Sequence, residues 1–136
     1  MQNIFRYPYV IGLFDTDAAG IIFYANLFRI CQQSYEAFLV EIGFGLPLLF
    51  ERRTMGMPIV HAKADFAHPL TVGMRVVVSC HVEEIGESSY RMSYEIAREN
   101  GEQMASATTV QVCVDPKTRK SMPLPEDFRK ALGKYL

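Results

Sequence analysis

Two carboxylates separated by one residue stand among small side chains, directly before a segment with a helical pattern. The stretch reads Asp15-Thr16-Asp17-Ala18-Ala19-Gly20-Ile21-Ile22-Phe23-Tyr24-Ala25-Asn26. The small residues before Ile21 leave room for a ligand to approach the backbone. The first N–H groups of a helix have no partner within it and favour negative charge. A carboxylate beside such an oxyanion-binding helix end indicates acyl transfer.

The helix that must present these groups is predicted from the spacing of its apolar residues. Apolar or small residues recur at the i, i+3, i+4, i+7 positions of a helix, namely Leu27, Ile30, Cys31, Ser34, Tyr35, Phe38, Leu39 and Ile42. We predict Asn26 as the N-cap, with an earlier start left open, and Gly43 and Gly45 as the stop. The helix would be about 16 to 20 residues long.

Alternating patterns on either side of this helix predict strands. Residues 5–14 are rich in aromatic and β-branched types and form a first strand, which Pro8 places at a sheet edge. Four more strands are predicted from alternating apolar residues, at residues 60–66, 74–82, 90–96 and 103–114. Asn100-Gly101 is typical of a two-residue hairpin, so consecutive strands are mostly antiparallel.

The other connections complete the predicted architecture. Residues 46–58 form a cover with a short helix near residues 48–53, and Pro125 opens a short C-terminal helix. One long helix wrapped by a five-stranded antiparallel sheet is an α+β arrangement with the shape of a hotdog fold. The element order alone does not exclude other two-layer folds. We predict a single domain over residues 1–136.

Composition excludes several function classes. The chain has 136 residues, 49% hydrophobic and 21% charged, with a net charge of −1. This near-neutral balance argues against a nucleic-acid partner. Three scattered cysteines indicate neither a disulfide framework nor a metal site, and we interpret them as reduced core residues. The start lacks a secretory signal, and no segment has the length of a membrane span, which predicts a cytoplasmic protein.

The carboxylate motif, with its Gly, two aromatics, Asn and following helix, closely resembles the signature of the 4-hydroxybenzoyl-CoA thioesterase branch of the hotdog superfamily. The resemblance covers roughly residues 5–120. It implies that Asp17 is catalytic and that Asp15 supports it. The thioester carbonyl would point at the helix start near the backbone N–H of Tyr24, with Gly20 as a further oxyanion or substrate-binding residue and Asn26 as a supporting one. Asp17 would attack the carbonyl or activate a water, and we favour attack.

Tyr24 and two further segments indicate which group of enzymes within this branch the chain resembles. Relatives associated with the Tol-Pal operon carry His where this chain has Tyr24, which instead resembles the aryl-CoA hydrolases. Within these, the runs Cys31-Gln32-Gln33-Ser34-Tyr35-Glu36 and Pro58-Ile59-Val60-His61-Ala62 resemble the 1,4-dihydroxy-2-naphthoyl-CoA hydrolases of quinone biosynthesis. The resemblance also implies a homodimer or homotetramer, in which a neighbouring subunit completes each site and His61 could face substrate.

Other interpretations of the same residues stay open. Asp17 could be an aspartate that only stabilises the turn. Tyr24 could be an aromatic residue of the core, and His61 a solvent-exposed residue of the strand. The turn at Ser88 and Ser89, followed by Arg91, resembles the segment that contacts the CoA nucleotide in relatives. No cofactor and no metal are predicted. The alternatives to an aryl-CoA hydrolase are a broad acyl-CoA or acyl-carrier-protein thioesterase, and a hotdog protein that binds acyl groups without catalysis.

Overall fold

The strands of the protein form one antiparallel sheet in the order β1-β3-β4-β5-β2. A computed structural model describes residues 3–136. Met1 and Gln2 lie outside the described residues. They belong to the predicted domain and to the chain start that we interpret as lacking a secretory signal. The strands are β1 (Phe5–Val10), β2 (Ile59–Phe66), β3 (Arg75–Ile85), β4 (Ser89–Arg98) and β5 (Gln103–Val112). The helices are α1 (Tyr24–Glu41), α2 (Leu46–Arg52) and α3 (Glu126–Gly133).

The core lies between α1 and one face of the sheet. The helix buries the predicted apolar stripe, from Leu27 to Leu39, and leaves Ile42 partly buried beyond its end. Alternate residues of β3 and β4 face this stripe and are fully buried. Burying one Leu or Phe side chain stabilises a fold by about 1.5–3 kcal/mol, so this interface holds the helix against the sheet. The predicted α+β hotdog arrangement is confirmed.

The three cysteines belong to this core, as predicted. All of them are free and buried. Burial raises the pKa of Cys31 to about 12 and that of Cys80 to about 11. Their thiols are therefore protonated and unreactive at neutral pH. Across residues 3–136, no helix has the length and apolar character needed to cross a membrane.

Three local predictions differ from the structure. The first strand ends at Val10, because the chain then turns into a short 3₁₀ segment, Leu13–Asp15. The predicted N-cap Asn26 is wrong, because the helix begins at Tyr24 and Phe23 is the N-cap. The turn at Gly101 also differs: Arg98 and Glu102 close a three-residue loop in which Gly101 has φ +91°. This is a type I turn with a glycine bulge rather than a two-residue hairpin.

Strand β2 is the exposed edge of the sheet. It pairs only with β5 along the described chain, and seven of its eight residues are exposed. The pairing shifts at a bulge between Ile59 and His61. Beyond the bulge, Ala62, Ala64 and Phe66 share the face of buried β5 residues that point to α1. The other edge of the sheet is β1, where Pro8 was predicted to lie.

Candidate active site

The carboxylate motif folds into a small closed loop in front of α1. The N–H of Phe23 donates to the carbonyl of Asp15 (2.9 Å), and the N–H of Asp17 donates to the carbonyl of Ile21 (2.9 Å). At the tip, the N–H of Gly20 donates to the carbonyl of Asp17 (3.0 Å). Gly20 has φ +81°, a left-handed conformation that residues with a Cβ rarely adopt. Backbone hydrogen bonds therefore hold the loop, and the left-handed conformation of Gly20 allows the chain to turn at its tip.

Asp17 lies at the start of this loop with its carboxylate exposed. Its Oδ1 accepts a hydrogen bond from the N–H of Ala19 at 2.8 Å. That contact fixes the carboxylate against its own turn. No donor within residues 3–136 contacts Oδ2, which is therefore free to contact a substrate or a water. The position combines a held carboxylate with one available oxygen.

The helix start beside Asp17 lacks the usual compensation for its dipole. The N-cap Phe23 makes no side-chain cap, and the first turn contains no acidic residue. The N–H of Asn26 donates to the carbonyl of Phe23, but in the described chain the N–H groups of Tyr24 and Ala25 have no acceptor. Free N–H groups at the positive end of a helix bind negative charge. This end can stabilise an oxyanion.

Asn26 joins the loop to the helix from the first turn of α1. Its Nδ2 donates to the carbonyls of Asp15 (3.0 Å) and Phe14 (3.3 Å). The side chain therefore does not cap the helix, but it fixes the chain that enters the loop relative to the helix start. The predicted capping function of Asn26 is therefore wrong, and its supporting function at the site stays a prediction.

Asp15 is buried, with 2% of its surface exposed, and differs sharply from Asp17. Its carboxylate accepts hydrogen bonds from the Tyr9 hydroxyl (2.8 Å to Oδ2) and the Gly12 N–H (2.8 Å). The Arg29 guanidinium also donates to it as an ion pair. Tyr9 and Arg29 are not predicted from the sequence. The available signal is that Arg29 follows Asn26 by three residues and shares its helix face.

An apolar cleft opens beside the helix start. It has a volume of about 320 Å³ and is lined by the motif and by the end of β2. Tyr24, 68% exposed, forms one wall, and Phe66 and His68 lie across from it. The Tyr24 ring also packs against Phe23 at a centroid distance of 5.0 Å. Tyr24 is therefore not a core aromatic, and Phe66 and His68 are cleft residues that sequence patterns did not identify.

The structure does not place His61 in this cleft. His61 pairs with Val110 of β5, and the neighbouring Ala62 pairs with Thr109, which is buried toward α1. Because side chains alternate along a strand, His61 lies on the outer face of the sheet. It is exposed there, in agreement with the solvated interpretation for a single copy of the chain.

The predicted CoA residues lie at the turn between β3 and β4. Ser89 and Arg91 line a cleft of about 190 Å³ together with Glu84. Arg91 Nε lies 3.8 Å from a carboxylate oxygen of Glu84, a loose ion pair that leaves the guanidinium able to contact another anion. Ser88 does not line this cleft, and its carbonyl accepts the N–H of Cys113 (2.7 Å).

The predicted cover, which contains α2, closes a third pocket, of about 220 Å³. Gln32, Tyr35, Phe50 and Met57 are among its walls. The Tyr35 hydroxyl contacts that of Tyr90, and burial raises the pKa of both phenols, so they stay neutral.

Two remaining features of the site are electrostatic. Glu36, one turn beyond Gln32 on α1, is exposed and accepts a hydrogen bond from Gln32 Nε2 (3.1 Å). Over the described range, no cluster of three or more His, Cys, Asp or Glu side chains could hold a metal ion.

Comparison with known families gives one match over most of the chain. Residues 11–132 match the model of the thioesterase-like superfamily. The chain is 34% identical over 123 residues to a 1,4-dihydroxy-2-naphthoyl-CoA hydrolase from Synechococcus elongatus, covering 90% of each protein. It is 35% identical to the enzyme of that name from Microcystis aeruginosa, covering 93% of this chain and 91% of the relative.

Solved structures agree with this match. A 1,4-dihydroxy-2-naphthoyl-CoA thioesterase from Synechocystis superimposes with a TM-score of 0.89 at 29% identity, covering 96% of each chain. A gentisyl-coenzyme A thioesterase superimposes with a TM-score of 0.83 at 28% identity, covering 94% of this chain and 98% of the other. Both neighbours share the sheet and the central helix that position the loop and the cleft.

Proposed function

Because the chain belongs to the thioesterase-like superfamily, we propose that it is a hydrolase that cleaves the thioester bond of an aromatic acyl-CoA. One observation carries the proposal: a carboxylate with a free oxygen, Asp17, opens the loop that leads into an uncapped helix start, and residues of the same motif line an apolar cleft. Hydrolysis of a thioester needs these three elements, namely a nucleophile or base, an oxyanion site and a surface for the acyl group.

The free N–H groups of Tyr24 and Ala25 are the oxyanion site in this proposal. The thioester carbonyl would point toward them, so that the helix end stabilises the charge that develops on its oxygen. Loss of one such donor typically raises a barrier by about 2.7–4 kcal/mol. Because these donors are backbone groups, the site does not depend on the Tyr24 side chain. That side chain instead forms a wall of the cleft.

Asp17 would supply the second part of the chemistry. Its free Oδ2 either attacks the carbonyl carbon, displacing the CoA thiolate and leaving a mixed anhydride for water to cleave, or removes a proton from the attacking water. We favour attack, because Oδ1 is held by Ala19 and presents the other oxygen in a fixed direction. Asp15 and Asn26 support this geometry through the loop.

The acyl group that we propose is a fused aromatic ring, as in 1,4-dihydroxy-2-naphthoyl-CoA of quinone biosynthesis. The relatives at 34% and 35% identity carry that substrate in their names, and the cleft offers the aromatic walls Tyr24 and Phe66. A broad acyl-CoA or acyl-carrier-protein thioesterase is the enzymatic alternative. An acyl-binding protein without catalysis is the third, and the accessible Asp17 with the uncapped helix argues against it.

We propose a homodimer in which β2 of one copy pairs with β2 of the other. The strand is a free sheet edge with exposed apolar residues, including Ile59, Val60 and Phe66. Free edges of this kind favour pairing with another chain. The partner would cover the cleft at the end of β2 and bring its own β2, including His61, near the site. Two such dimers could form a tetramer.

CoA itself would lie toward the turn between β3 and β4. Ser89 and Arg91 line a cleft there, and a guanidinium suits phosphate binding. Ser88 does not line this cleft, so its contact with CoA stays a prediction.

The single thioesterase domain over residues 1–136 and the cytoplasmic location of the protein also stay predictions.

A substrate panel tests the proposed reaction. Purified protein should release free CoA from 1,4-dihydroxy-2-naphthoyl-CoA with a kcat/KM at least about tenfold above that for benzoyl-CoA and for aliphatic acyl-CoAs, because the larger ring fills the cleft. Higher kcat/KM for aliphatic thioesters would favour the broad thioesterase. Binding without release of CoA would favour the non-catalytic protein.

The substitution Asp17→Asn tests the catalytic assignment on the preferred substrate. We expect kcat to fall at least about a thousandfold with retained substrate binding, because the amide can neither attack nor accept the proton. Glu99→Gln makes the same chemical change in the exposed turn between β4 and β5 and should leave kcat unchanged. Equal kcat in both variants would remove Asp17 from the mechanism.

A further inference from the structure

We propose that Tyr9, Asp15 and Arg29 form a positioning clamp that fixes the Asp17 loop against the start of α1. The proposal rests on the proposed function, because it assigns these residues an effect on thioester hydrolysis. None of the three would touch the reacting atoms. They would act through Asp15, whose side chain binds the clamp and whose backbone binds the helix start.

The side-chain half of the clamp joins three parts of the chain. The Tyr9 hydroxyl, from β1, lies 3.0 Å from Oδ1 and 2.8 Å from Oδ2 of Asp15. The N–H of Gly12, from the chain between strand and loop, donates to Oδ2 at 2.8 Å. Arg29, from the second turn of α1, donates to Oδ1 and lies 3.3 Å from the Tyr9 hydroxyl. One buried carboxylate therefore connects the strand, the turn and the helix.

The backbone half of the clamp transmits this position to the site. The carbonyl of Asp15 accepts the N–H of Phe23 (2.9 Å) and the Asn26 amide (3.0 Å). Asp17 follows after one residue, and its own N–H is bound to Ile21 inside the loop. The distance between the Asp17 carboxylate and the free N–H groups at the helix start is therefore set through Asp15. A displacement of about 1 Å can cost about a hundredfold in rate.

The charge balance explains why the clamp needs both partners. A buried carboxylate without compensation is costly, and Asp15 is 2% exposed. Arg29 supplies the opposite charge from a side chain that is 45% exposed and is held on its other nitrogen by Gln33 (2.9 Å). Tyr9 supplies a neutral donor that contacts both oxygens of the carboxylate and also lies 3.3 Å from the guanidinium. Loss of either donor leaves Asp15 free to shift in its pocket.

The test uses variants that remove one donor each. Tyr9→Phe keeps the ring that packs against the core and deletes only the hydroxyl, whereas Arg29→Gln removes the charge and Arg29→Lys retains it. We expect Tyr9→Phe and Arg29→Gln to lower kcat by about ten- to a hundredfold while KM changes by less than about threefold. Arg29→Lys should recover most of the lost kcat.

Amide hydrogen exchange supplies a readout that does not depend on catalysis. In Tyr9→Phe and Arg29→Gln, the amides of Asp17 and Phe23 should exchange at least about tenfold faster, because the loop opens locally. The core amide of Val78 in β3 should keep its rate. Uniform acceleration that includes Val78 would show a general loss of stability, and unchanged kcat with unchanged exchange would show no positioning effect. Either result overturns the proposal.

A control separates the clamp from ordinary ion pairs and from the catalytic assignment. Arg98→Gln breaks an exposed pair with Glu102 (3.5 Å) and should change kcat by less than about twofold. Wild-type activity in Asp17→Asn would overturn the assignment of catalysis to Asp17, and absence of hydrolysis by the wild-type protein would overturn the proposed function. Both results leave the exchange measurements standing. Normal loop exchange in Tyr9→Phe, together with an inactive Asp17→Asn, would overturn the clamp alone.

Discussion

Asp15 and Asp17 have the same side chain and lie in one turn, but the fold gives them opposite surroundings. Asp15 is enclosed by a hydroxyl, an N–H and a guanidinium, which use its carboxylate oxygens. Asp17 is exposed and gives one oxygen to its own turn. A carboxylate saturated with donors is a poor nucleophile or base, so these surroundings support the proposal that Asp17 does the chemistry and Asp15 does the positioning.

Gly20 provides the prediction at the scale of a residue. Its φ of +81° makes Gly20→Ala strained, although an added Cβ would meet nothing within 4 Å. We expect a loss of about 1 kcal/mol in unfolding free energy. Activity should fall at least about tenfold, because relief of the strain moves the loop that carries Asp17. Chemical denaturation and steady-state kinetics measure the two effects.

Gly43 is a matched control for this substitution. It has φ +89° at the end of α1 and equally open surroundings, so Gly43→Ala should show a similar loss of stability with unchanged kcat. If both variants lose kcat to the same extent, the loop has no special need for the conformation of Gly20.

At the scale of elements, the periodicity of apolar residues predicts which face of each helix or strand is buried. The stripe on α1 and the alternation in β3 and β4 are visible in the sequence, because one face of each element must be buried. The start of α1 was mispredicted, because Asn26 is a strong cap former by type but uses its amide on Asp15 instead. The clamp escapes prediction for a similar reason: Tyr9 and Arg29 are far apart in sequence and meet only through tertiary structure.

Because the start of α1 is uncapped, we expect a capping side chain at position 23 to raise stability and lower activity. Phe23 is the N-cap, with backbone angles of −70° and 125° that suit a capping side chain. In Phe23→Asp, a carboxylate could accept the free N–H groups and stabilise the helix by about 0.5–2 kcal/mol relative to Phe23→Ala. The same carboxylate would occupy the proposed oxyanion site and lower kcat/KM at least about tenfold relative to Phe23→Ala.

Phe23→Ala is the proper reference here, because both variants lose the contact of Phe23 with the Tyr24 ring. Thermal unfolding and kinetics on the two proteins give the comparison. Higher stability with undiminished kcat/KM in Phe23→Asp would show that the helix end does not bind the reacting carbonyl.

At the scale of the whole molecule, the two edges of the sheet predict different responses to charge. Val60 in β2 is 62% exposed, and Val10 at the end of β1 is 49% exposed, so a single copy should tolerate glutamate at either position. If β2 pairs with β2 of a second copy, Val60→Glu would bury a charge in the interface and prevent dimerisation. We expect sedimentation to show a dimer for the wild type and for Val10→Glu but a monomer for Val60→Glu.

Hydrolysis should fall together with the dimer, because the cleft lined by Tyr24 and Phe66 would then stay open to water on the β2 side. A monomeric Val60→Glu with full activity would show that one copy holds a complete site, and a dimeric one would place the interface elsewhere.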